Sequence, residues 1–436
     1  MANEFCVRSL GPCTVPSPLT RYHDHQGRTI EFVEDRECIL VDDTLSAVRA
    51  GAGAGGELAA LELAGPRRLL FFEPGRVRIG IVTCGGLCPG LNNVIRSVVM
   101  SAQFHYRAEK IYGFRHGYAG LVQPDGWIEL DSELVSNIHR LGGSILSSSR
   151  GPQDPARMVD RLLELGLHIL FVVGGDGTMR GALALAREIR ARDLKIAVLG
   201  IPKTIDNDLL FMDRSFGFET AFSKAVEAID GAHAESKGAP NGIGLVKLMG
   251  RYSGFIACAA AVASGEANFV LIPEVPFRLE GPNGLLAVLQ RRLERRRHAV
   301  IVVAEGAGQD LFADEPVERD ASGNVKLHDI GAFLARRIRE HFRDIGFEAN
   351  LKYIDPSYII RSVPANPADA VFCATLGLNA VHAGMAGKTE MLLGQWHHRL
   401  VHVPIASAIA RRNHVDPTGP LWLSVLGVTG QPLAMF

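Results

Sequence analysis

The sequence predicts an α/β protein with largely parallel sheets, and two observations support this fold class. From Arg76 onward, apolar runs of strand length alternate with amphipathic segments of helix length, the pattern of βα units around a parallel sheet. The runs are apolar throughout, as expected of strands that helices cover on both faces. The predicted strands are Val77–Val82, Ile169–Val173, Ile196–Gly200, Ile243–Leu248, Phe269–Ile272 and Ala299–Ala304.

The length of the chain predicts more than one domain. It has 436 residues, whereas an ordinary domain has about 100 to 200. Residues 1–76 show no sustained periodicity and are predicted to form an N-terminal extension packed on the main body, with a glycine-rich linker at 51–56. We expect one α/β domain at 77–214 with 362–409, a second at 215–361, and a C-terminal tail at 410–436.

Charge and composition exclude several classes of protein. The 46 basic and 47 acidic residues nearly cancel, so neither nucleic acid nor an anionic membrane is expected as a partner. Neither a signal-peptide pattern nor an uncharged apolar stretch of about 18 residues is present, which predicts a protein that is neither secreted nor membrane-spanning. The seven cysteines lack paired CxxC spacing and clustered histidines, which predicts a reducing cytoplasm rather than disulfides or zinc.

Residues directly after the predicted strands are the first candidates for a site, because ligands of open α/β sheets bind beyond the carboxyl ends of the strands. The first strand is followed by TCGGLCPGLNN at 83–93 and an apolar helix at Val94–Ala102. Its glycine pair lets backbone N–H groups approach a phosphate, and the helix N-terminus adds favourable charge. A plain tight turn is the alternative for this segment taken alone.

The second strand is followed by the segment GGDGT at 174–178 and by a helix predicted to begin at Met179. Its glycines keep side chains out of the path of a phosphate. Asp176 offers a hard oxygen to Mg²⁺, and Thr178 offers a hydroxyl. A nucleotide-phosphate site is therefore favoured over a plain turn.

The third strand is followed by PKTIDND at 202–208. Asp206 and Asp208 lie two residues apart on an irregular segment, where one can act as a general base and the other as its orienter or a metal partner. Lys203 would offset their charge and face phosphate oxygens. A capped surface turn is the alternative. Because the three segments occupy the same position after their strands, we expect them to converge on one cleft.

With MGRYSG at 249–254, these segments occur in an order that resembles the phosphofructokinase family. The resemblance covers residues 77–410, and PKTIDND and MGR are more diagnostic than GGDGT, which NAD kinases and diacylglycerol kinases share. It implies two Rossmann-like domains facing a cleft, and transfer of the terminal phosphoryl group of ATP, with Mg²⁺, to the 1-hydroxyl of fructose 6-phosphate. It further implies a glycolytic role and a homotetramer or homodimer.

The resemblance also implies roles for matching residues. Asp206 matches the general base that takes the proton of the sugar hydroxyl, Thr204 lies beside that hydroxyl, and Lys203 and Asp208 are predicted to act with them. Asp176 matches the carboxylate linked to Mg²⁺. The nucleotide positions are Gly85, Arg150, Gly151, Gly175, Asp176, Gly177 and Thr178, with Arg150 reaching the transferring phosphoryl group. The sugar positions are Thr204, Ile205, Asp206, Met249, Gly250, Arg251, Glu305, Lys352, Tyr358 and Arg361, whose basic members suit a phosphate dianion.

Two positions bear on the phosphoryl donor. Members of the family that use pyrophosphate carry Asp where this chain has Gly177, and a carboxylate there would repel the α-phosphate of a nucleotide. Lys203, by contrast, is typical of the pyrophosphate enzymes. A subgroup resembling the plant and trypanosomatid ATP enzymes combines this glycine with this lysine, as the present chain does. ATP is therefore the predicted donor.

Three alternatives stay open at this point. The first is a pyrophosphate-dependent phosphofructokinase. The second is a non-catalytic regulatory subunit of the same fold, and the third is another kinase built on GGDGT, such as an NAD kinase. One departure from the simpler bacterial enzymes is that an arginine donated across their subunit interface has no counterpart near Asn241. What replaces it is left open.

Overall fold

The computed structural model describes residues 4–53, 58–316, 318–319 and 325–436. Contacts divide the chain into two compact units. Unit 1 comprises Met1–Thr204, Leu209–Gly217 and Val363–Arg411. Unit 2 comprises Ile205–Asp208, Phe218–Ser362 and Arg412–Phe436.

These boundaries differ from the ones expected from the sequence, and the two largest differences lie in residues 205–208 and 412–436. Residues 205–208, expected in the first domain, belong to unit 2, and so do residues 412–436, expected as a separate tail. The physical reason is a set of contacts that no local pattern reveals. The hydroxyl of Ser253 donates to the main-chain oxygen of Asp206 at 2.9 Å, and the amide of Gln431 exchanges hydrogen bonds with both main-chain groups of Val270.

The strands confirm the six predicted ones to within about two residues at each end. In chain order they are β1 (Arg8–Ser9), β2 (Val15–Pro16), β3 (Cys38–Leu40), β4 (Ala60–Leu63), β5 (Leu69–Leu70), β6 (Arg78–Thr83), β7 (Lys110–Phe114), β8 (Trp127–Glu129), β9 (Ile169–Gly174), β10 (Ala197–Pro202), β11 (Gly242–Leu248), β12 (Phe269–Leu271), β13 (His298–Ala304), β14 (Asn350–Ile354), β15 (Lys388–Thr389), β16 (Met391–Trp396) and β17 (Arg399–Pro404).

The helices include the one predicted after the first loop. They are α1 (Leu45–Gly53), α2 (Leu91–Tyr106), α3 (Ala119–Val122), α4 (Pro155–Glu164), α5 (Asp176–Ala191), α6 (Phe218–Lys237), α7 (Phe255–Ser264), α8 (Leu285–Arg296), α9 (Ile330–Asp344), α10 (Ser357–Ser362), α11 (Pro367–Met385), α12 (Ile405–Ala408) and α13 (Pro420–Thr429). Gly51–Gly53 end helix α1 instead of forming part of a linker, and residues 54–56 of the predicted linker lie outside the described residues.

Unit 1 is built on a sheet whose nine described strands follow the order β3-β4-β17-β16-β10-β9-β6-β7-β8. The central strands β16, β10, β9, β6 and β7 pair in parallel, and antiparallel pairs flank them. Every residue of β9 and β10 is buried, as expected of strands covered on both faces. The predicted largely parallel α/β fold is thereby confirmed.

Unit 2 has a smaller sheet in the described part of the chain, with strand order β12-β13-β11-β14 and parallel pairing throughout. Its core includes Leu245, Ile301 and Val303 of the sheet and Leu289 and Leu334 of helices α8 and α9. Among the described residues, no helix is both long and apolar enough to cross a membrane.

The N-terminal segment is an integral part of unit 1. Strands β3 and β4 extend its sheet beyond β17, and β1 pairs with β15. Oε1 of Glu62 in β4 lies 2.8 Å from a guanidinium nitrogen of Arg67, 2.9 Å from Nζ of Lys388 and 3.0 Å from Nδ1 of His402. All four of these side chains are largely buried. This charge cluster joins the segment to β15 and β17.

The cluster strongly favours the ionised form of Glu62. Burial by itself raises the pKa of Glu62, but the hydrogen bond from His402 and the charge of Lys388 outweigh burial and lower the pKa to about 2. Because this value lies below the ordinary 4.5, the ion pairs stabilise the fold fully above that pH. The stabilisation is lost as the pH falls toward 2.

We expect Glu62→Gln to reduce the free energy of unfolding by roughly 3 kcal/mol at neutral pH. The neutral amide leaves Arg67 and Lys388 buried with only Asp35 as an ion-pair partner in this cluster. Thermal unfolding measures the effect. Glu37→Gln, at an exposed site in the same segment, is the matched control and should change stability by less than about 0.5 kcal/mol. Equal unfolding midpoints for the two variants would show that the cluster contributes little.

Candidate active site

Three loops leave the same edge of the sheet in unit 1. Strands β6, β9 and β10 are parallel neighbours, and Thr83 pairs with Val173 while Pro202 pairs with Gly174. The strands therefore end at one level, and the segments 83–93, 174–178 and 202–204 begin there. This arrangement is the one predicted from their positions in the sequence, and the carboxyl edge of a parallel sheet is where ligands of such folds bind.

The loop after β6 lies against Lys203 and the segment 147–151. Gly85 has a φ of 88°, which favours glycine, and a Cβ there would lie 3.1 Å from Nζ of Lys203. The N–H of Gly85 donates to the main-chain oxygen of Ser149 at 3.2 Å, and the hydroxyl of Ser148 donates to the oxygen of Gly85. The structure thus brings Gly85 and Lys203 together with the segment that carries Arg150 and Gly151.

The loop after β9 leads directly into helix α5. The helix begins at Asp176, three residues before the predicted start at Met179, with Gly175 as its N-cap. The prediction of Met179 was wrong because GGDGT resembles a loop, whereas an acidic residue in the first turn stabilises a helix. The main-chain N–H of Lys203 donates to the oxygen of Gly174 at 2.9 Å. Segments 174–178 and 202–204 are therefore in direct contact.

The side chains of this loop differ in their surroundings. Oδ2 of Asp176 accepts a hydrogen bond of 2.9 Å from the guanidinium of Arg180, one turn along α5. Thr178 is buried, and its main-chain oxygen accepts a hydrogen bond of 2.7 Å from the hydroxyl of Tyr118. At Gly177, apart from the adjoining backbone of its own helix, no atom of the described residues lies within 4 Å of the position that a Cβ would take. The loop therefore has open space at this position.

Asp206, the predicted general base, lies in unit 2 against the segment that follows β11. Its Oδ2 lies 3.5 Å from the main-chain nitrogen of Arg251. Its Oδ1 is buried and, within the described ranges, has no hydrogen-bond partner. A buried carboxylate oxygen without a partner is unfavourable for stability, and such groups are concentrated at functional sites.

Burial and neighbouring charges together set the pKa of Asp206. Burial raises its pKa, the negative charges of Asp208 and Glu305 raise it further, and Arg251 partly opposes them, so that the pKa is about 7. The pKa of Glu305 is also raised, mainly by burial, with Arg251 opposing. A carboxyl group that titrates near neutral pH can accept a proton from a substrate and release it again, as a general base must.

The segment 249–254 turns sharply beneath this group. Gly250 has a φ of 130°, its oxygen accepts from the N–H of Gly306 at 3.0 Å, and a Cβ there would clash with the oxygen of Ser253. The N–H of Glu305 donates to the oxygen of Leu248 at 2.9 Å. Glu305 and the segment 249–254 are therefore held side by side.

The other predicted sugar residues lie on β14 and helix α10. Lys352 is an exposed residue of β14, and Arg361 of α10 stacks over the ring of Tyr358 at 4.6 Å. Nζ of Lys247, at the end of β11, lies 2.8 Å from Oδ2 of Asp355, and Asp355 also accepts from the N–H of Ser357 at the start of α10. This ion pair fixes α10 next to β11. The charge of Arg361 acts on Glu305 by lowering its pKa against the effect of burial.

The remaining two predicted residues border the crossing between the units. Thr204 is the last residue of the first stretch of unit 1, and its main-chain oxygen accepts a hydrogen bond from the hydroxyl of Ser215. Ile205 is buried in unit 2.

Sequence reasoning missed Arg412 and Glu274. A guanidinium nitrogen of Arg412 lies 3.2 Å from Oδ2 of Asp208. Oε1 of Glu274 accepts from the N–H groups of Gly254 and Val415, at 2.9 and 2.8 Å. No short motif carries these residues, because their partners are distant in the chain. The run Arg411-Arg412-Asn413-His414 directly after a helix was the one available signal.

The chain offers oxygen ligands that suit Mg²⁺. In kinase-type sites this ion binds one or two carboxylates together with substrate phosphates. Asp176 places a carboxylate at the N-terminus of α5, next to the glycines at 174 and 175. The residues present therefore fit Mg²⁺, and Asp176 is the residue whose carboxylate would hold it.

Comparisons with known proteins agree with this geometry. The family model described as Phosphofructokinase matches residues 78–384. An ATP-dependent 6-phosphofructokinase of Amycolatopsis methanolica is 50% identical over 438 residues, which cover 99% of this chain and 95% of the relative. An ATP-dependent 6-phosphofructokinase of Trypanosoma cruzi is 50% identical over 373 residues, 84% of this chain and 76% of that protein.

A solved structure adds the fold. The pyrophosphate-dependent phosphofructokinase from Marinobacter aquaeolei has a TM-score of 0.66 at 19% identity, with 78% of this chain and 86% of that chain covered. Together, the parallel sheets and the glycine-rich loops at the carboxyl edge of the larger sheet define a Rossmann-like α/β fold. The chain belongs to the phosphofructokinase family. The resemblance inferred from the sequence, including the likeness to trypanosomatid enzymes, is confirmed.

Proposed function

We propose that this chain is an ATP-dependent 6-phosphofructokinase that converts fructose 6-phosphate and ATP, with Mg²⁺, to fructose 1,6-bisphosphate and ADP in glycolysis. The observation that carries the proposal is the state of Asp206. This carboxylate has one buried oxygen without a partner among the described residues and a pKa of about 7, and it lies beside Arg251. Such a group is suited to take a proton from an alcohol at neutral pH.

The sugar side of the reaction requires a base and a site for the 6-phosphate. Asp206 accepts the proton of the 1-hydroxyl as the bond from that oxygen to the transferring phosphorus forms. Arg251, Lys352 and Arg361 supply the positive charge that a phosphate dianion needs. Glu305, held beside the segment 249–254, accepts hydrogen bonds from sugar hydroxyls.

The nucleotide side of the reaction requires close backbone approach and charge neutralisation. Gly85, Gly175 and Gly177 leave room for the phosphates. Arg150 and Lys203 offset the negative charge that develops as the bond between the γ-phosphorus and the ADP oxygen breaks. Asp176 would hold Mg²⁺, which would neutralise phosphate charge. Positioning and charge stabilisation supply most of the catalysis in phosphoryl transfer.

The donor follows from the surroundings of Gly177. The space beside Gly177 leaves room for a nucleotide, and a glycine here adds no second carboxylate next to that of Asp176. The relatives from Amycolatopsis methanolica and Trypanosoma cruzi are both named ATP-dependent. Lys203 is the residue that favours the second candidate, a pyrophosphate-dependent enzyme, because an extra cation suits a small polyanionic donor.

A donor-comparison assay tests the proposal. Purified protein with fructose 6-phosphate and Mg²⁺ is expected to form fructose 1,6-bisphosphate with ATP, at a rate at least about 100-fold above that with pyrophosphate. Turnover with pyrophosphate alone would assign the second candidate. Lack of turnover with either donor would assign a non-catalytic subunit, and phosphorylation of NAD would assign a different kinase.

The pKa of Asp206 predicts the pH dependence of the reaction. The ionised carboxylate is the active base, so kcat is expected to fall as the pH drops through about 7. Had Asp206 the ordinary pKa of 3.8, kcat would stay constant down to about pH 5. A kcat profile measured from pH 5.5 to 9 at saturating substrates distinguishes the two. A flat acidic side would exclude Asp206 as a base with a raised pKa.

The enzyme is further proposed to be a homotetramer or homodimer of the cytoplasm. All seven cysteines lie in the described part of the chain and form no disulfide bond, which suits a reducing compartment. The oligomer follows from the family resemblance, in which sugar sites lie near subunit contacts. Light scattering coupled to size-exclusion chromatography measures the mass, and a value near that of the 47.1 kDa chain would contradict the oligomer.

A further inference from the structure

A short segment of unit 2 contacts the candidate catalytic loop from outside the known motifs. It consists of Arg412, Asn413, His414 and Val415 and follows the last crossing of the chain from unit 1. We refer to these four residues as the 412–415 segment. Neither the sequence motifs nor the roles proposed above include it.

The 412–415 segment binds the two residues that follow Asp206. A guanidinium nitrogen of Arg412 lies 3.2 Å from Oδ2 of Asp208. The main-chain N–H of Asn413 donates to the oxygen of Asp208 at 2.9 Å, and its side-chain amide donates to the oxygen of Asn207 at 3.4 Å. Asn207 has a φ of 55°, a conformation that persists where surrounding contacts hold it.

The same segment also binds the loop that holds Asp206 from the other side. The guanidinium of Arg412 lies 3.8 Å above the ring of Tyr252, and a hydrogen bond of 2.8 Å joins Nδ1 of His414 to the oxygen of Tyr252. Val415 donates its N–H to Oε1 of Glu274, the oxygen that also accepts the N–H of Gly254. Segment 249–254 and segment 412–415 are thus joined at both ends.

Asp206 lies where these two sets of contacts meet. Arg251 and Ser253 hold its carboxylate and its main-chain oxygen, and the 412–415 segment holds the residues that follow it. A bridging side chain that touches both loops fixes their spacing, and spacing of this kind controls the rate of a positioned reaction. Arg412 is the side chain that touches both.

We propose that the 412–415 segment positions Asp206 for proton abstraction, with Arg412 as the positioning residue that joins Asp208 to Tyr252. The inference rests on the proposed function. Arg412 acts through the loop 205–208 and not by contact with the substrate.

The charge of Arg412 provides a specific readout. The charged groups that face Asp206 are Asp208, Glu305 and Arg251, and Arg412 offsets the charge of Asp208. Removing the Arg412 cation leaves the repulsion between Asp208 and Asp206 stronger, so the acid side of the kcat profile moves to higher pH. A purely structural role for Arg412 would not shift this acid side of the kcat profile, which we call the acid limb.

The test compares three variants of the full-length protein. Arg412→Met removes the cation and keeps an apolar contact with Tyr252, Arg412→Lys keeps the cation but loses the planar group, and Arg411→Met is the matched control at the exposed neighbour. Steady-state kinetics with ATP and fructose 6-phosphate give kcat, both KM values and the kcat profile with pH. Circular dichroism and thermal unfolding report folding.

We expect Arg412→Met to lower kcat by roughly 10- to 100-fold with the KM for ATP changed less than about threefold. The midpoint on the acid side of its kcat profile should shift to higher pH by about half a pH unit or more. Arg412→Lys should restore the position of the limb and part of kcat, and Arg411→Met should match the parent protein. If Arg412→Met does not fold, Arg412→Lys decides, since a lower kcat with the KM for ATP changed less than about threefold supports positioning by the planar guanidinium.

Several results would overturn the inference. Parent-like kinetics of Arg412→Met, or of Arg412→Lys where only that variant folds, would do so. A lower kcat with an unmoved limb in Arg412→Met would assign a merely structural role. If the parent protein is active and the Arg412 variants give these results, only the inference fails and the proposed function stands. If the parent protein is inactive, both the proposed function and the inference fail.

Discussion

Replacing Asp206 by asparagine is expected to lower kcat for the phosphorylation of fructose 6-phosphate by about 1,000-fold. The amide has the shape of the carboxylate but cannot accept the proton of the 1-hydroxyl. Both KM values should change by less than about fivefold, because the variant still binds the two substrates. Steady-state kinetics at pH 8 measure the effect. Asp230→Asn, at an exposed site in helix α6, is the control and should retain parental activity.

Stability measurements separate lost catalysis from lost folding in this variant. The folded pKa of Asp206 is about 7 against an ordinary value of 3.8, so the folded state holds the proton more tightly than the unfolded chain. Ionisation of Asp206 therefore costs stability progressively as the pH rises between these two values. Asp206→Asn removes that cost and should unfold at the same or a higher temperature than the parent at pH 8. A large drop in both kcat and unfolding temperature would instead indicate a damaged fold.

Replacing Gly177 by aspartate is expected to lower kcat/KM for ATP by roughly 100-fold. Two unit charges about 4 Å apart near a protein surface repel by about 4 kcal/mol, and partial screening by Mg²⁺ and solvent reduces this value. The variant should fold normally, because in the described part of the chain a Cβ at this position meets no atom within 4 Å beyond the adjoining helix backbone. An acidic residue also suits the first turn of helix α5.

Gly177→Ala is the matched control for this substitution. It adds a side chain in the same open space without a charge, so its kcat/KM for ATP should stay within about threefold of the parent value. If kcat/KM for ATP fell equally in the two variants, the effect would be steric and not electrostatic. Full activity of Gly177→Asp with ATP would show that this position does not determine the donor.

Much of the fold was predictable because it depends on local patterns. Continuous apolar runs such as Ile169–Val173 are buried parallel strands in the structure, and the glycine pairs after β6 and β9 lie at the carboxyl edge of the sheet. The contact between Gly85 and Lys203 follows from the same logic, since these residues follow β6 and β10, the parallel strands on either side of β9. The start of helix α5 at Asp176 was missed, since glycines conceal the helical register.

The rest depends on contacts between residues distant in the chain. The division that assigns 205–208 and 412–436 to unit 2 has no signal in composition or periodicity. Arg412 follows helix α12 by a few residues and reads as a solvated charge, yet its guanidinium pairs with Asp208, far earlier in the chain. The raised pKa of Asp206 likewise requires Glu305 and Arg251, which the sequence associates with it only through the family resemblance.

The proposed reaction transfers the terminal phosphoryl group of ATP to the 1-hydroxyl of fructose 6-phosphate, with Asp206 as the base. The most direct test labels the γ-phosphate of ATP with ¹⁸O and locates the label in the products by ³¹P NMR. We predict that the label appears at carbon 1 of fructose 1,6-bisphosphate with the parent protein and that Asp206→Asn forms this product about 1,000-fold more slowly. Label released as inorganic phosphate, or equal product formation by the two proteins, would contradict it.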